Sequence, residues 1–178
     1  NSGVARGNVL SQYKPGSVNG NVHRGWNIFN PELGEYVRTT PPQQRTGTPS
    51  WYMGTADAIY QNVYTLERER PRHVLIVSGD HVYKMDYRLM LAGHLENAAD
   101  LTVACVEVGR EKARGLGGAE VDADGRIVAF HEKSAEPPEI PGRPGKCLAS
   151  MGVYVFGTRE LVREVTRDAK RHTAHDFG

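Results

Sequence analysis

The most constraining feature of the sequence is a short apolar run, HVLIV at residues 73–77, that ends at Ser78-Gly79-Asp80. The run is rich in β-branched residues and lacks polar alternation, which favours a strand buried on both faces of a parallel sheet. Ligands collect at the carboxyl ends of such strands, where Gly79 permits a sharp turn and Asp80 would project. A carboxylate there is a natural ligand for Mg²⁺, but aspartate after glycine is also ordinary turn chemistry. The run alone leaves both interpretations open.

In the rest of the chain, segments with the hydrophobic spacing of a helix alternate with segments that have the hydrophobic pattern of a strand. Helices are predicted at residues 55–66, after Asp86 and at 158–169, and strands at 101–108 and 148–156. Two alternating runs around Asp124-Gly125 predict a β-hairpin. This order predicts an α/β fold with a mostly parallel sheet, helices on both faces and a hairpin insertion.

Composition narrows the classes of partner. The 178 residues include 22 basic and 21 acidic side chains, giving a formal net charge of +1, so we expect no broad polyanion-binding surface and no nucleic-acid partner. No apolar stretch approaches the ~18 residues needed to span a bilayer, and no signal-peptide layout is seen at the start, so a cytosolic or organelle-stroma protein is expected. Cys105 and Cys147 lie in apolar runs without CxxC spacing, which predicts buried thiols.

Two segments carry candidate anion-binding residues. Gly54 and Thr55 precede a helix whose free amides and positive dipole end can hold a phosphate, although an ordinary helix start with Thr55 as N-cap explains the pattern too. Glu132 and Lys133 end the second arm of the hairpin. Because adjacent strand residues face opposite sides, only one of the two needs to point into a site, and a solvated ion pair is the alternative.

The last predicted strand is interrupted by Ser150 and Gly152. A glycine inside a strand often marks the close approach of a ligand or another backbone. A simple β-bulge explains the interruption about as well.

The chain resembles the glucose-1-phosphate adenylyltransferase family, also called ADP-glucose pyrophosphorylase, in five segments: WYMGTADAIYQN, VSGDHVYKMDY, FHEKS, CLASMGVYVF and HDFG. The upstream segments QYKPGSV, RGWNIF and PPQQR are similar to the same family. The resemblance implies a Rossmann-like domain that makes ADP-glucose and pyrophosphate from ATP and α-D-glucose 1-phosphate for glycogen or starch synthesis. It also implies Mg²⁺ as cofactor, small-molecule allosteric effectors, a homotetramer and a bacterial cytoplasmic location.

The resemblance assigns roles to individual positions. Asp80 matches the family's metal-binding aspartate and is expected to act in catalysis together with Lys133. The positions that contact the sugar phosphate or the ADP-glucose product are matched by Tyr52, Gly117, Glu132, Lys133 and Ser150. Gln44 and Trp51 match a loop that relays activator binding to the active site.

The sequence departs from the family at two places. Leu116-Gly117-Gly118 stands where the family has Phe-Gly and an apolar residue, and Ser134 stands where it has proline. We expect Gly118 to loosen the backbone beside the sugar and Ser134 to remove a rigid turn.

Several family segments have no match in these residues: the N-terminal glycine-rich loop, a second metal-binding aspartate and a C-terminal β-helix. We therefore expect residues 1–178 to be a partial catalytic domain that is inactive alone. Two rival functions remain open: transfer of another nucleotide to a sugar 1-phosphate, and a catalytically silent regulatory subunit. The presence of Asp80 and Lys133 argues against a catalytically silent subunit.

Overall fold

The computed structural model describes residues 3–12, 15–42, 51–79 and 84–177. Two of the predicted functional residues, Asp80 and Gln44, lie outside these ranges. The chain divides into two units, the first comprising Asn1–Arg70 with Leu161–Phe177 and the second comprising Pro71–Glu160.

The first unit contains a small parallel sheet and several helices. Strand β1 (Arg6–Leu10) pairs with β2 (Tyr36–Thr40), and helix α1 (Pro15–Gly25) packs on β2. Two further helices follow, α2 (Thr55–Gln61) and α3 (Val63–Glu69). The single helix predicted from residue 55 is therefore divided at Asn62.

The second unit is built on a five-stranded sheet. Its strands are β3 (His73–Val77), β4 (Leu101–Gly109), β5 (Gly117–Val121), β6 (Ile127–Glu132) and β7 (Lys146–Gly157). Strand β7 pairs with β3, β4 and β5, and β6 pairs with β5. Each of these four pairs is antiparallel.

The α/β class is confirmed, but the expectation of a mostly parallel sheet is wrong for this unit. Strands β3 and β4 run in the same direction, as predicted for a parallel sheet, yet β7 lies between them and is antiparallel to both. Strand β3 is also less buried than expected, with Val77 43% exposed. Hydrophobic content identified the strands correctly and said nothing about which ones become neighbours.

The predicted hairpin and the predicted helix cap at Asp86 are confirmed, whereas the N-cap of α2 is Gly54 and not Thr55. The predicted hairpin joins β5 to β6, with Gly125 at φ +79° and the Asp122 carboxylate accepting from the amides of Asp124 and Arg126 at 3.0 and 2.9 Å. Helix α4 (Tyr87–Glu96) is capped by Asp86, whose carboxylate accepts from the Arg88 amide at 3.0 Å.

The core of the second unit lies along β7. Met90, Val153 and Val155 form one buried cluster, and a second joins Val108, Cys147 and two alanines, one of them in the short helix α5 (Arg110–Ala113). The last helix, α6 (Thr158–Asp168), follows β7 directly. Within the described residues, no helix is long and apolar enough to cross a membrane.

Both cysteines are free, and their surroundings suit structural thiols. Cys147 is buried and Cys105 is half-buried, which confirms the expected burial fully for the first and partly for the second. Burial raises the pKa of both thiols, that of Cys105 to about 11.

Candidate functional site

Three of the predicted substrate-binding residues lie in one row across the sheet of the second unit. Gly117 of β5 is directly opposite Glu132 of β6. On its other side, β5 pairs with β7 through Gly118 and Ala149, and continuing that register by one residue brings Gly117 next to Ser150. Residues that face each other in antiparallel strands project to the same side of the sheet, so Glu132 and Ser150 share a face with a glycine between them.

The glycine leaves room for the neighbouring side chains. A Cβ placed on Gly117 would lie 2.9 Å from Glu132 Oε2 and 3.1 Å from the Phe130 ring. Gly117 thus allows the Glu132 carboxylate to lie over β5 beside an aromatic ring. Phe130 was not among the sequence candidates, although its position two residues before Glu132 places it on the same face.

Lys133 does not follow the strand geometry expected from sequence. Strand β6 ends at Glu132, and Lys133 has a left-handed backbone with φ +49°, an uncommon conformation for a residue with a side chain. Its amide donates to the carbonyl of Leu116 at 3.2 Å. As a result, the Lys133 ammonium lies 3.5 Å from the Glu132 carboxylate instead of on the opposite side of the sheet.

The interruption near Ser150 is a bulge in β7. Ala104 of β4 pairs with Val153 and Cys105 pairs with Ser150, so the register between β4 and β7 shifts by two residues at this point. Gly152 has φ +66°, its amide donates to Ser150 Oγ at 3.2 Å, and its carbonyl accepts from the Ser78 amide at 3.0 Å. The bulge turns the chain beside Ser150 and joins it to the end of β3.

The two departures from the family pattern are held in place locally. Gly118 pairs with both His131 and Ala149, so it lies inside the sheet and not in a loose segment. Ser134 Oγ accepts from the Glu136 amide at 3.1 Å, which forms a turn where the family has proline.

The other predicted residues that the structure describes belong to the first unit and lie at the start of α2 or just before it. Tyr52 is half-buried, and its hydroxyl accepts from the Asn62 side chain at 3.1 Å. Burial raises the pKa of the Tyr52 phenol, the Asp57 carboxylate adds to the rise, and the Asn62 hydrogen bond opposes it. Trp51 is 60% exposed.

Gly54 is the N-cap of α2 and lies against a distant part of the chain. A Cβ at this position would be 2.3 Å from the carbonyl oxygen of His175 and 2.5 Å from that of Ala174. Gly54 therefore permits a backbone-to-backbone approach that no other residue would allow.

The first amides of α2 already have acceptors in this structure. The Thr55 amide donates to Asp176 Oδ1 at 2.7 Å, and the amides of Ala56 and Asp57 donate to the His175 carbonyl at 2.8 and 3.2 Å. An anion at this helix start would have to displace them. The assignment of Gly54 and Thr55 to substrate binding stays a prediction, and the structure gives both a contact with the HDFG segment.

Asp57 is a buried carboxylate in the first turn of α2. It is 6% exposed, and its Oδ2 accepts from the Met53 amide at 2.9 Å and from the Gln61 side chain at 2.8 Å. It fixes the loop that carries Tyr52 to the first turn of α2. Among the described residues, no group of three or more His, Cys, Asp or Glu could hold a metal ion.

Comparison with known proteins agrees with the sequence motifs. A sequence model described as Nucleotidyl transferase matches residues 1–178. The chain is 48% identical over 179 residues to "Glucose-1-phosphate adenylyltransferase" of Rhodopseudomonas palustris strain HaA2 and 49% identical to the protein of that name in Granulibacter bethesdensis. It is 47% identical over 178 residues to "Glucose-1-phosphate adenylyltransferase 2" of Vibrio cholerae serotype O1.

These alignments cover 99–100% of this chain and 43–44% of the three relatives, so the chain spans less than half of their length. The match extends over both units and includes every predicted site residue. The resemblance inferred from the motifs is confirmed, and the chain belongs to the nucleotidyl transferase family.

Proposed function

We propose that the full-length protein transfers the adenylyl group of ATP to α-D-glucose 1-phosphate, forming ADP-glucose and pyrophosphate. The observation that carries this proposal is 47–49% identity, over essentially the whole chain, to three proteins named for that reaction. The row formed by Glu132, Gly117 and Ser150, with Lys133 at its end, supports it with a cation and hydrogen-bonding groups placed together.

In the proposed reaction, a phosphate oxygen of the sugar phosphate attacks the α-phosphorus of ATP in line. A new oxygen–phosphorus bond forms, and the bond to pyrophosphate breaks. Both reactants are anionic, so the protein has mainly to position them and to offset their charge. No side-chain nucleophile is required.

Lys133 is available for this task because its partner in the structure holds it weakly. The side chains of Lys133 and Glu132 are 72% and 52% exposed, and exposed ion pairs contribute at most about 1 kcal/mol. A sugar phosphate carries more charge than one carboxylate and would draw the ammonium away. Glu132 would then be free to accept hydrogen bonds from sugar hydroxyls.

Mg²⁺ is proposed to bind Asp80, which lies outside the described residues. A carboxylate is the donor that this hard cation takes, and the cation usually keeps water and substrate phosphates as further ligands. When bound, the ion supplies neutralisation of charge on the transferring phosphate.

The wider role is proposed from the same relatives, which are bacterial proteins. We propose that the full-length protein works in the bacterial cytoplasm in glycogen synthesis, as a homotetramer controlled by small-molecule effectors. Gln44 and Trp51 are proposed to belong to the loop that responds to the activator, and the exposure of Trp51 leaves it accessible for such a contact.

The direct test is an assay of pyrophosphate release by the full-length protein with glucose 1-phosphate and each nucleoside triphosphate in turn. We expect ATP to be used best and the product to be ADP-glucose. Faster release with UTP or dTTP would establish the rival of another sugar nucleotidyltransferase. Absence of release with every nucleotide would favour the regulatory-subunit rival.

The metal role is tested by Asp80→Asn in the full-length protein. An amide cannot replace the charge of the carboxylate at Mg²⁺, so kcat should fall by at least ~10²-fold while the fold is kept. Asp124→Asn, in the exposed hairpin turn, is the control and should leave kcat unchanged. An Asp80→Asn enzyme with more than about a tenth of wild-type turnover would contradict this role.

A further inference from the structure

We propose that Gly152 is a positioning residue, which orients the Ser150 hydroxyl as a hydrogen-bond donor to the phosphate of the sugar substrate. The bulge in β7 gives the chain the shape that this orientation requires, and the backbone of Gly152 makes a hydrogen bond on each side of it. The inference rests on the proposed function. It adds to the row of Glu132, Gly117 and Ser150 a residue that acts through Ser150 instead of on the substrate.

The Gly152 amide occupies the acceptor side of the Ser150 hydroxyl. The amide nitrogen lies 3.2 Å from Ser150 Oγ, and because an amide N–H can only donate, the hydroxyl oxygen is the acceptor. A serine hydroxyl has one hydrogen to donate, and that hydrogen must then point to a different partner. The charged oxygens of a phosphate are acceptors, so a hydrogen bond from Ser150 to a bound sugar phosphate would be charge-assisted.

Tyr154 competes for this hydrogen. Its hydroxyl lies 3.4 Å from Ser150 Oγ, and either oxygen could be the donor. That distance is long for a hydrogen bond between two hydroxyls, for which about 2.7–2.8 Å is usual. A phosphate oxygen at the usual distance would therefore take the Ser150 hydrogen in preference, while the Gly152 amide keeps the oxygen in place.

The backbone conformation of Gly152 makes both of its hydrogen bonds possible. Its φ is +66°, in the left-handed region that glycine adopts freely, asparagine tolerates and β-branched residues rarely adopt. This angle sets the direction of the amide that reaches Ser150 relative to the carbonyl that reaches Ser78. A residue that cannot hold this angle must give up one of the two hydrogen bonds.

Two contacts hold the bulge from outside. The Gly152 carbonyl accepts from the Ser78 amide at 3.0 Å, directly beyond the last pair of β3 and β7. The preceding residue, Met151, packs against the buried cluster that contains Met90 and Val153. The Gly152 amide is therefore fixed by β3 and by the core before a substrate arrives, and such preorganisation lowers the cost of binding.

Gly152→Val and Gly152→Asn in the full-length protein test the role of this conformation. Gly152→Val should raise the KM for glucose 1-phosphate by at least about fivefold, because the Ser150 hydroxyl loses its orientation, and should change the KM for ATP by less than about twofold. Gly152→Asn can keep the left-handed conformation and should stay within about twofold of the wild type for both substrates. Should Gly152→Val not fold, Gly152→Ala takes its place and should show the same pattern to a smaller extent.

Gly125 provides the matched control, because its φ is also positive, +79°, but it lies in the turn between β5 and β6. Gly125→Val should lower the Tm to a similar extent and leave the KM for each substrate unchanged. The inference is overturned if Gly152→Val has the KM values of Gly125→Val, or if Gly152→Asn is as impaired as Gly152→Val.

A double-mutant cycle shows whether Gly152 acts through Ser150. Ser150→Ala removes the hydroxyl that Gly152 orients, so adding Gly152→Val to Ser150→Ala should raise the KM for glucose 1-phosphate by less than about a further twofold. A further rise as large as the one that Gly152→Val causes in the wild type would mean that Gly152 acts independently of Ser150, which contradicts the inference.

Calorimetric titration with glucose 1-phosphate, with and without a non-hydrolysable ATP analogue, separates a failure of this inference from a failure of the proposed function. A wild-type protein that binds glucose 1-phosphate but forms no ADP-glucose would overturn the proposed function alone. In that protein, a Kd raised at least about fivefold in Gly152→Val would support the positioning role, and an unchanged Kd would overturn it. A wild-type protein that binds no glucose 1-phosphate would overturn both.

Discussion

Gly54 and Gly117 are both candidate substrate-binding glycines, and they differ in what surrounds them. A Cβ at Gly54 would meet two backbone carbonyl oxygens at 2.3 and 2.5 Å, whereas a Cβ at Gly117 would meet the ends of two side chains at 2.9 and 3.1 Å. Backbone held by hydrogen bonds cannot move aside, but side-chain ends can rotate. The first region is therefore built for fixed geometry, and the second can adapt to a ligand.

The largest effect is expected where the backbone must yield. Gly54→Ala should lower the free energy of unfolding by about 3 kcal/mol or more, because the new methyl group forces the His175 carbonyl away from the amides of α2. Urea unfolding measures this change. The control is Gly93→Ala in the middle of α4, where an added Cβ would meet nothing within 4 Å apart from its chain neighbours and the backbone of its own helix, and it should stabilise the protein by about 0.5–1 kcal/mol. Equal changes in the free energy of unfolding at Gly54 and Gly93 would contradict the fixed backbone geometry at Gly54.

Charge in the adaptable region should matter for ligand binding more than for folding. Lys133→Gln should raise the KM for glucose 1-phosphate roughly tenfold and that for ATP by less than about twofold, since it removes the charged hydrogen bond that we propose to the sugar phosphate. Steady-state kinetics of the full-length protein measures the KM for each substrate. Lys146→Gln is the control, because Lys146 lies 3.6 Å from Glu107 in a similar exposed ion pair. If the two variants behave alike, Lys133 is a surface charge only.

A smaller effect is expected from a methyl group at the adaptable glycine. Gly117→Ala should cost about 1 kcal/mol of stability and raise the KM for glucose 1-phosphate severalfold, because Glu132 and Phe130 must rotate away. Gly118→Ala provides the neighbouring control, since its Cβ would make only ordinary contacts of 3.7 Å with two carbonyl oxygens. That variant should be neutral or stabilising by up to about 1 kcal/mol. A loss of stability in Gly118→Ala without one in Gly117→Ala would contradict this account of the two glycines.

The smallest effect concerns the buried histidines of the two units. His175 contacts the Asp168 carboxylate, whereas His94 has its Nδ1 2.8 Å from the Thr102 hydroxyl and its Nε2 buried without a hydrogen-bond partner among the described residues. Burial lowers the pKa of His94, the nearby His73 ring lowers it further, and Asp100 opposes both.

The sign of the pH dependence follows from that lowered pKa. The unfolded chain binds a proton at His94 more readily than the folded one, so stability should fall as the pH drops below about 6.5. Urea unfolding at several pH values between 7 and 5 measures how the free energy of unfolding changes with pH. This change should be smaller in His94→Gln than in the wild type. The exposed His23→Gln should keep the wild-type slope, and a slope unaffected by His94→Gln would contradict this account.

Sequence reasoning succeeded where the signal was local. Asp124-Gly125 gave the hairpin and Asp86 gave a helix cap, because both depend on a few adjacent residues. It failed where partners are distant in sequence. The position of β7 between β3 and β4 is not encoded in hydrophobic content, and the contact of Gly54 with His175 joins positions that no local pattern relates.

The candidate site also combines features that the sequence predicts with features that depend on the fold. The resemblance selected Gly117, Glu132 and Ser150, which the fold places in one row of the sheet, but the orientation of Lys133 depends on a single backbone angle of +49°. Strand alternation predicts that the Lys133 side chain lies on the side of the sheet opposite to Glu132. No sequence pattern near Lys133 predicts its left-handed backbone conformation. Phe130 could have been found from its spacing to Glu132, whereas Asp176 could not have been assigned a partner without the fold.

The place of β7 in the sheet has a consequence for how the second unit folds. It is the last strand of the unit to be synthesised, yet it supplies the pairing partner of β3, β4 and β5. Among the described residues, β3 and β4 pair only with β7, so until residues 146–157 leave the ribosome the β5–β6 hairpin is the one pair of the described sheet that can form. Contacts between segments so far apart in the chain are slow to close, and unpaired apolar strand edges associate readily with other chains. Nascent chains that end before β7 should therefore depend on chaperones more than the completed unit does.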